Sequence, residues 1–325
     1  MNIKNLVNIL SLLSTEHALS FRQIVMSSGI SERQVDEVLQ ALSRPEAGFV
    51  RVLNGEYVLN HPIEFLDSKV IALFMQKESR EFMHSMSVFS VIDSTNRYLE
   101  QQEAVPGQAV VCLAEQQTQG RGRRGRSWES APAAGIYCSI KWRFSTGFST
   151  LATLSLMVGV ELCKVLRAFT GRPVMLKWPN DLVVEEDGCL LKLGGILIEL
   201  SGSSEGPVEA IIGFGVNSRL PLQSIDKIEQ ATTDLCRLNA AIGWQRNKVI
   251  ALMLDQLLMA LSGYSQSRYD IKEQWKKFDA LSGKQVYSKQ LEGIAQGVDS
   301  YGRLRVVVDG DEHLLDSGEV SVRLA

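Results

Sequence analysis

Residues 120–128 read Gly-Arg-Gly-Arg-Arg-Gly-Arg-Ser-Trp, which puts Arg121, Arg123, Arg124 and Arg126 among three glycines. Three chemistries use such a run: a flexible nucleic-acid segment, a dinucleotide loop, and a clamp for a small anion. The spacing Gly120-x-Gly122-x-x-Gly125 fits a dinucleotide loop, and an apolar strand, AVVCLAE (109–115), precedes it. Such a loop must also open a helix and meet an acidic residue about 20 positions on. Here Pro132 and the strand-like IYCSIKW follow, and residues 135–147 contain no Asp or Glu. The context therefore argues against a dinucleotide loop, and no G-x-x-x-x-G-K-[ST] run occurs. Nucleic-acid tails of the RGG type sit in long disordered tracts, whereas this run lies inside a folded stretch. A solvated basic loop is the plain alternative. An anion clamp uses every residue type present. Glycines let backbone N–H groups approach an oxyanion, guanidinium forks bind phosphate or carboxylate oxygens in pairs, and Trp128 adds an apolar lid.

Two further segments carry compatible chemistry. In LKWPNDLVVEEDGCLLKLGGILIEL (176–200), Asp187-Gly188 marks a tight turn. A two-residue loop there sets Val183 against Lys192 and Asp181 against Gly194. Asp181 and Lys192 then become diagonal neighbours on one face, roughly 7–8 Å apart. Taken alone, Lys177, Asn180, Asp181 and Lys192 fit a surface ion network as well as a site. In IIGFGVNS (211–218), Gly213 and Gly215 thin a strand so that a ligand ring can approach, with Asn217 as a polar reader. A bulge would use the same glycines.

These residues need elements to position them. A chain of 325 residues holds two or three domains of ordinary size. With 45% hydrophobic and 22% charged residues, the composition is that of an ordinary soluble protein. The net charge of -3 supplies no global attraction to nucleic acid, so any DNA contact must come from a local patch. The apolar N-terminus is interrupted by Asn5 and Asn8 and lacks a small-residue cleavage site, so it reads as a helix and not a signal peptide. The apolar stretch Leu151 to Cys163 is too short to span a bilayer. Five scattered cysteines without C-x-x-C point to reduced, buried thiols in the cytoplasm, with no metal site and no membrane partner.

Residues 1–65 form the first predicted domain. Ser20-Phe-Arg-Gln23 and Ser31-Glu-Arg-Gln34 are capping boxes, and Gly29 ends the first of the two helices. Val35, Val38, Leu39 and Leu42 share one helical face. Asn54-Gly55 between two apolar runs predicts a hairpin. The sum is a winged helix-turn-helix. Residues 66–272 form the second. A connector helix over 66–83 is followed by seven strand candidates and helices near 94–102, 150–169 and 245–263, which predicts a mixed sheet with helices on it. Residues 273–325 form the third, an all-β barrel with glycine turns at Gly293, Gly297 and Gly302 and a hairpin at Asp309-Gly310. The fold class is thus α+β.

In that order DSTN (93–96), GRGRRGRSW (120–128), KWPNDL (177–182), KLGGIL (192–197) and GFGVN (213–217) resemble the motifs of the biotin protein ligases, in particular the bifunctional ligase-repressors. The resemblance covers nearly the whole chain, and implies a biotin/lipoate ligase-like central domain and an SH3-like C-terminal barrel. It implies that biotin and ATP are joined to biotinyl-5′-AMP with Mg²⁺. The biotin then passes to a lysine of the biotin carboxyl carrier domain of acetyl-CoA carboxylase. Ser94, Thr95, Gln117 and Arg121, with Gly195, look like the biotin site. Arg123, Arg124 and Trp128 look like the loop that closes over the adenylate. Lys192 resembles the lysine that contacts biotin and phosphate oxygens. Lys177, Asn180, Asp181 and Asn217 resemble residues around the nucleotide and the reacting carbonyl, with Arg323 reaching in from the barrel. Lys192, Arg123 and Asp181 are the expected catalytic set. The resemblance also implies a homodimer when adenylate is bound and an operator-DNA contact, with Arg22, Ser31, Arg33, Gln34 and Arg51 as reading residues.

Two departures stand out. The loop exit reads Ser130-Ala-Pro-Ala-Ala-Gly135 where the family usually has Ser-Pro-x-Gly. The reading helix carries Glu32, Asp36 and Glu37 against Arg33, and residues 1–60 hold five basic and six acidic side chains. Phosphate contacts supply most non-specific DNA affinity, so a ligase whose winged helix does not bind an operator is the alternative. A ligand-sensing regulator without transferase activity and a lipoate-type ligase are the others. The intact Lys192 and Asp181 argue against the former, and the winged helix and full arginine run against the latter.

Overall fold

The structure is a computed structural model; it describes residues 3–44, 48–203, 205–225, 228, 230–240, 245–264, 269–288, 291–316 and 323–324. Three sheets organise the chain.

The first belongs to the N-terminal unit: helices Ile3–Leu12, Phe21–Ser28 and Glu32–Leu42, with strands β1 (Leu19–Ser20), β2 (Val50–Leu53) and β3 (Glu56–Leu59). Gln23 Oε1 accepts the Ser20 N–H at 2.8 Å, and Gly29 takes φ 67° to end the helix. Asn54 and Gly55 both have positive φ, 52° and 82°, as a two-residue turn between right-twisted strands requires. The short β1 pairs with β3, so the expected two-stranded ribbon has a third strand. This unit closes its own core around Leu10, Ile24, Val38 and Leu42.

The expected connector helix over 66–83 is broken. It runs as Ser68–Phe74 and Lys77–Arg80, and strand β4 begins at Met83. The break lies where the Gln76 N–H turns to the Asp255 carboxylate, whose oxygens accept at 3.1 and 3.2 Å.

All seven central strand candidates are strands: β4 (Met83–Phe89), β5 (Ala109–Ala114), β6 (Gly135–Phe144), β7 (Met175–Lys177), β8 (Asp181–Glu186), β9 (Cys189–Gly202) and β10 (Val208–Asn217). They form one sheet in the order β4-β5-β6-β10-β9-β8-β7, with β4 and β5 parallel and the other neighbours antiparallel. Alternation sorts its two faces. Ile136, Ile140, Ile212 and Phe214 share a buried core with helices Leu154–Thr170 and Arg246–Tyr264. The opposite face carries Ser139, Gly195, Gly213 and Gly215 beneath the short helix Thr95–Glu100. The apolar stretch Leu151 to Cys163 lies within residues Phe148–Thr170, which are long and apolar enough to cross a membrane by length and composition alone. Two thirds of its most apolar 18-residue window is buried inside the protein, so its apolarity is that of a core helix.

The third sheet is small and antiparallel: β11 (Gln285–Tyr287), β12 (Glu292–Val298), β13 (Leu304–Val308), β14 (Asp311–Leu315) and β15 (Arg323–Leu324), ordered β14-β13-β12-β11-β15. The Asp309-Gly310 hairpin is present. Gly302 lies in a turn, but Gly293 and Gly297 do not. Gly293 is inside β12, where a Cβ would stand 2.3 Å from the Val307 carbonyl oxygen, and Gly297 lies at a register shift in the same strand. Val286, Ala295 and Leu304 belong to the central core, and Trp178 Nε1 donates to the Gly302 carbonyl at 3.0 Å. A division at 272/273 also falls inside the helix Ile271–Lys276.

The five cysteines are free thiols, four of them buried, but Cys189 at the β8–β9 turn is exposed. Burial pushes the Cys112 thiol up to about 12, which keeps it protonated and unreactive.

Candidate active site

One open cavity of about 780 Å³ lies on the glycine-bearing face of the central sheet. Its lining unites Ser94, Thr95, Gln117, Arg121, Arg123, Arg124, Trp128, Lys177, Asn180, Asp181, Lys192 and Gly195, residues drawn from five separate stretches of sequence.

The arginine loop joins antiparallel neighbours β5 and β6, so no helix follows it. It is a small hairpin: the Gly122 N–H donates to the Arg126 carbonyl at 2.7 Å and the Trp128 N–H to the Gly120 carbonyl at 2.8 Å. Gly120 and Gly122 thus take part in the loop's own closure, and the Gly122 N–H is taken by the Arg126 carbonyl. A Cβ on Gly120 would stand 2.5 Å from the Trp128 carbonyl oxygen, and Gly125 takes φ 72°. The loop's guanidiniums line the cavity. Arg123 Nη1 donates to Asn180 Oδ1 at 3.2 Å, and Asn180 is itself fixed by donating to the Ile196 carbonyl at 2.8 Å. Burial holds the Arg123 pKa below the usual arginine range and Arg124 adds to this, while Asp181 opposes it. The group stays a cation at neutral pH.

Asp181 and Lys192 meet, at 2.8 Å between Oδ1 and Nζ. The register that brings them there differs from expectation. Val183 does face Lys192, but a bulge shifts the next pairs to Leu182–Gly194 and Asp181–Gly195. The turn sets the first four pairs, and the extra residue is absorbed where Leu193 is fully buried. Lys192 Nζ also lies 5.5 Å from the Trp128 ring centroid.

The glycine shelf is real but holds the protein's own side chains. A Cβ on Gly215 would stand 2.6 Å from Trp128 Cε2, and one on Gly213 2.3 Å from Asn96 Oδ1. Asn217 does not line the cavity. Its amide donates to the carbonyls of Thr233 (3.1 Å) and Lys192 (3.5 Å), bracing the strand that carries the lysine. Arg323 pairs through its backbone with Tyr287, and its side chain lies outside the described residues.

Asn96 in the cavity lining, and Ser139 and Glu199 bonded to it from behind, are groups that sequence reasoning missed. Asn96 follows Thr95 on the helix that Ser94 caps, and Ser139 is the one serine in IYCSIKW. Glu199 interrupts the apolar ILIEL run. Ser139 Oγ lies 2.5 Å from Asn96 Oδ1 and 2.7 Å from Thr95 Oγ1, and Asn96 Nδ2 donates to Glu199 Oε2 at 2.7 Å. Gln117 Oε1 accepts the Thr95 N–H at 2.8 Å. Arg121 Nη2 reaches Glu100 at 2.6 Å and Glu199 at 3.0 Å. A polar residue recurring inside an otherwise apolar strand was the available signal for Ser139 and Glu199.

A buried ion pair lies behind the loop. Arg246 Nη1 meets Glu115 Oε2 at 2.8 Å and the Glu64 carbonyl at 2.8 Å, and its Nη2 donates to the Gly135 carbonyl at 2.8 Å. Glu115 Oε1 accepts the Leu66 N–H at 2.5 Å, and Asn247 Nδ2 donates to the Phe65 carbonyl at 2.9 Å. The segment after the N-terminal unit is thereby tied to the start of β6.

At the N-terminus, Arg22, Arg33 and Arg51 are exposed. Arg33 pairs with Glu37 at 3.4 Å, and Ser31 and Gln34 are joined in their capping box.

Comparison with known proteins agrees with this geometry. Residues 88–217 match the Biotin/lipoate A/B protein ligase family and residues 285–323 the Biotin protein ligase C terminal domain. The chain is 32% identical to the bifunctional ligase/repressor BirA of Salmonella typhimurium over 98% of each chain. It is 31% identical to that of Escherichia coli over 98% of this chain and 97% of the relative. A biotin protein ligase of Aquifex aeolicus, solved in complex with biotin and ATP, superposes with a TM-score of 0.62 at 25% identity, over 75% of this chain and 100% of that one. Full-length identity above 30%, joined to a cavity that gathers the arginine loop, the lysine–aspartate pair and the polar floor, places this chain in the biotin protein ligase family.

Proposed function

We propose that this enzyme joins biotin to ATP as biotinyl-5′-AMP and transfers the biotin to a lysine of the acetyl-CoA carboxylase carrier domain. We propose further that the adenylate-loaded protein dimerises and represses transcription at an operator. One observation carries the catalytic half: a single cavity has a polar floor at one end and the Lys192–Asp181 pair beside the arginine loop. The Aquifex ligase of like fold is described with biotin and ATP, and a relative in Mycobacterium tuberculosis is named for acetyl-CoA carboxylase.

Biotin is assigned to Ser94, Thr95, Gln117, Arg121 and Gly195, the adenylate to Arg123, Arg124, Trp128, Lys177 and Asn180, and Lys192 to their junction. In the first step a biotin carboxylate oxygen bonds to the α-phosphorus and pyrophosphate leaves. Charge builds on the phosphoryl oxygens, where the Lys192 and Arg123 donors stabilise it. The Asp181 contact at 2.8 Å holds Lys192 in place beforehand. In the second step the carrier amine bonds to the acyl carbon, AMP leaves, and Asp181 takes the amine proton. The loop that carries Trp128 keeps water from the mixed anhydride. Mg²⁺ would be held mainly by the ATP phosphates, with Asp181 the carboxylate that lines the cavity, and would shield the charge of the departing pyrophosphate. No step is assigned to it.

Pyrophosphate exchange and carrier labelling test this. Exchange should require biotin, and Lys192→Met should lower it roughly 10²–10³-fold. Exchange with lipoate in place of biotin would overturn the substrate, and exchange without carrier labelling would leave a ligand-sensing regulator.

The repressor half rests on the N-terminal unit read as a winged helix-turn-helix, with Arg22, Ser31, Arg33, Gln34 and Arg51 at its DNA face, and on relatives named bifunctional over nearly the full chain. The exposed Glu32, Asp36 and Glu37 favour a second reading, a cytoplasmic ligase whose N-terminal unit does not bind an operator.

A further inference from the structure

We infer that Glu199 and Ser139 are positioning residues that set the hydrogen-bond polarity of the biotin site: through Asn96 they make Thr95 an acceptor, so the site selects a ligand that presents an N–H there. The inference rests on the proposed biotin assignment and assigns Glu199 and Ser139 roles that the ligand contacts alone do not require.

The polarity follows from where each hydrogen can go. A carboxylate only accepts. Glu199, in an ion pair with Arg121, therefore requires the NH₂ group of Asn96 to face it, at 2.7 Å. The amide of Asn96 cannot turn over, and its Oδ1 faces Ser139 Oγ at 2.5 Å. That contact needs a hydrogen, and only Ser139 has one to give. Ser139 is fully buried, so no solvent partner competes. With its hydrogen directed at Asn96, Ser139 can only accept from Thr95 Oγ1, 2.7 Å away. Thr95 Oγ1 also lies 3.1 Å from Gln117 Oε1, which already receives the Thr95 N–H. Whichever of the two contacts takes it, the Thr95 hydrogen is held within the protein. What Thr95 offers the cavity is lone pairs.

Gly213 is part of this device. It is paired with Ser139 across the sheet, and its missing Cβ is what lets Asn96 Oδ1 lie against the strand. The cyclic urea of biotin carries two N–H donors, and an acceptor held in place recognises one of them. A ring oxygen in that position would face lone pair to lone pair in a buried site, the arrangement in which polar recognition discriminates most sharply.

The test compares biotin with its two cyclic carbamate analogues, in each of which one ureido N–H is replaced by oxygen, by isothermal titration and by steady-state pyrophosphate exchange. Three proteins are compared: the parent, Ser139→Ala and Glu199→Met, with thermal melts to establish folding. The parent should bind one regioisomer at least about 100-fold more weakly than biotin. Ser139→Ala removes the nearer acceptor and leaves the Thr95 hydrogen to Gln117 Oε1 alone, at 3.1 Å. Glu199→Met lets Asn96 turn over and reverses the chain, while Arg121 keeps Glu100. Both variants should shrink the biotin-to-carbamate ratio at least tenfold, chiefly through KM rather than kcat. An unchanged ratio in folded variants would overturn the inference while leaving biotin ligation standing. A ratio near one in the parent would overturn it too. Failure of the parent to bind biotin at all would remove the reading on which the inference is built.

Discussion

Arg123 meets Asn180 through one guanidinium nitrogen, from a loop braced by backbone bonds at either end. Both features suit a group that must hold an adenylate until an acceptor arrives. Arg123→Ala should leave biotin binding nearly intact and speed the escape of adenylate, measured as faster release of labelled biotinyl-5′-AMP after gel filtration. Retention equal to the parent's would remove Arg123 from the clamp. The residues that carry charge were legible in sequence because several short motifs occur together in one order, although each alone also fits a solvated loop or a surface ion network. Asn96, Ser139 and Glu199 were not. Their function lies in which hydrogen each gives to the next, and that depends on contacts between segments a hundred residues apart. Gly213 and Gly215 were read as making room for a ligand ring; both line the cavity, and Asn96 and Trp128 lie against them. A glycine records a close approach without naming what approaches.

Among elements, strands and turns with strong local causes matched the reading. The Asn54-Gly55 and Asp309-Gly310 hairpins and the seven central strands are examples. The misreadings share one cause, a tertiary partner overriding a local pattern. Asp255 breaks the connector helix by capturing Gln76, and the bulge by Leu193 moves Asp181 one pair along. Gly293 sits in a strand because the facing carbonyl leaves no space for a side chain. Arg246 shows how much such partners weigh. With side chains of Arg246 and Glu115 only 3% and 4% exposed, Arg246→Met leaves a buried carboxylate without its cation. It should destabilise the protein by about 3–5 kcal/mol, read as a lower midpoint in urea unfolding. Replacing both residues by apolar ones should recover much of that loss, and a single variant as stable as the parent would show the pair to be idle.

At the scale of the whole molecule, the central and C-terminal sheets share one core, whereas the N-terminal unit has its own. Separate cores allow separate functions, and composition could foresee that much. What it leaves open is whether the N-terminal unit reads DNA. Titrating the protein by fluorescence anisotropy onto DNA from upstream of its biotin-synthesis genes, against a scrambled duplex and at two salt concentrations, decides this. An adenylate-switched repressor binds the first DNA selectively, and only when biotin and ATP are both present. Equal weak binding to both would leave a ligase with a differently employed N-terminus.

The boundary between these units has a practical side. A cut at the predicted 65/66 junction looks harmless on a sequence diagram, yet it passes through the segment that Arg246, Glu115 and Asn247 grip. A ligase fragment beginning at residue 66 would start with a charged amino terminus at Leu66, next to Glu115, and would lack the Glu64 and Phe65 carbonyls. One beginning at residue 61 would keep all of them. The shorter fragment is expected to be poorly soluble and the longer one to fold, so sedimentation of two polypeptides five residues apart would locate the edge of the catalytic unit.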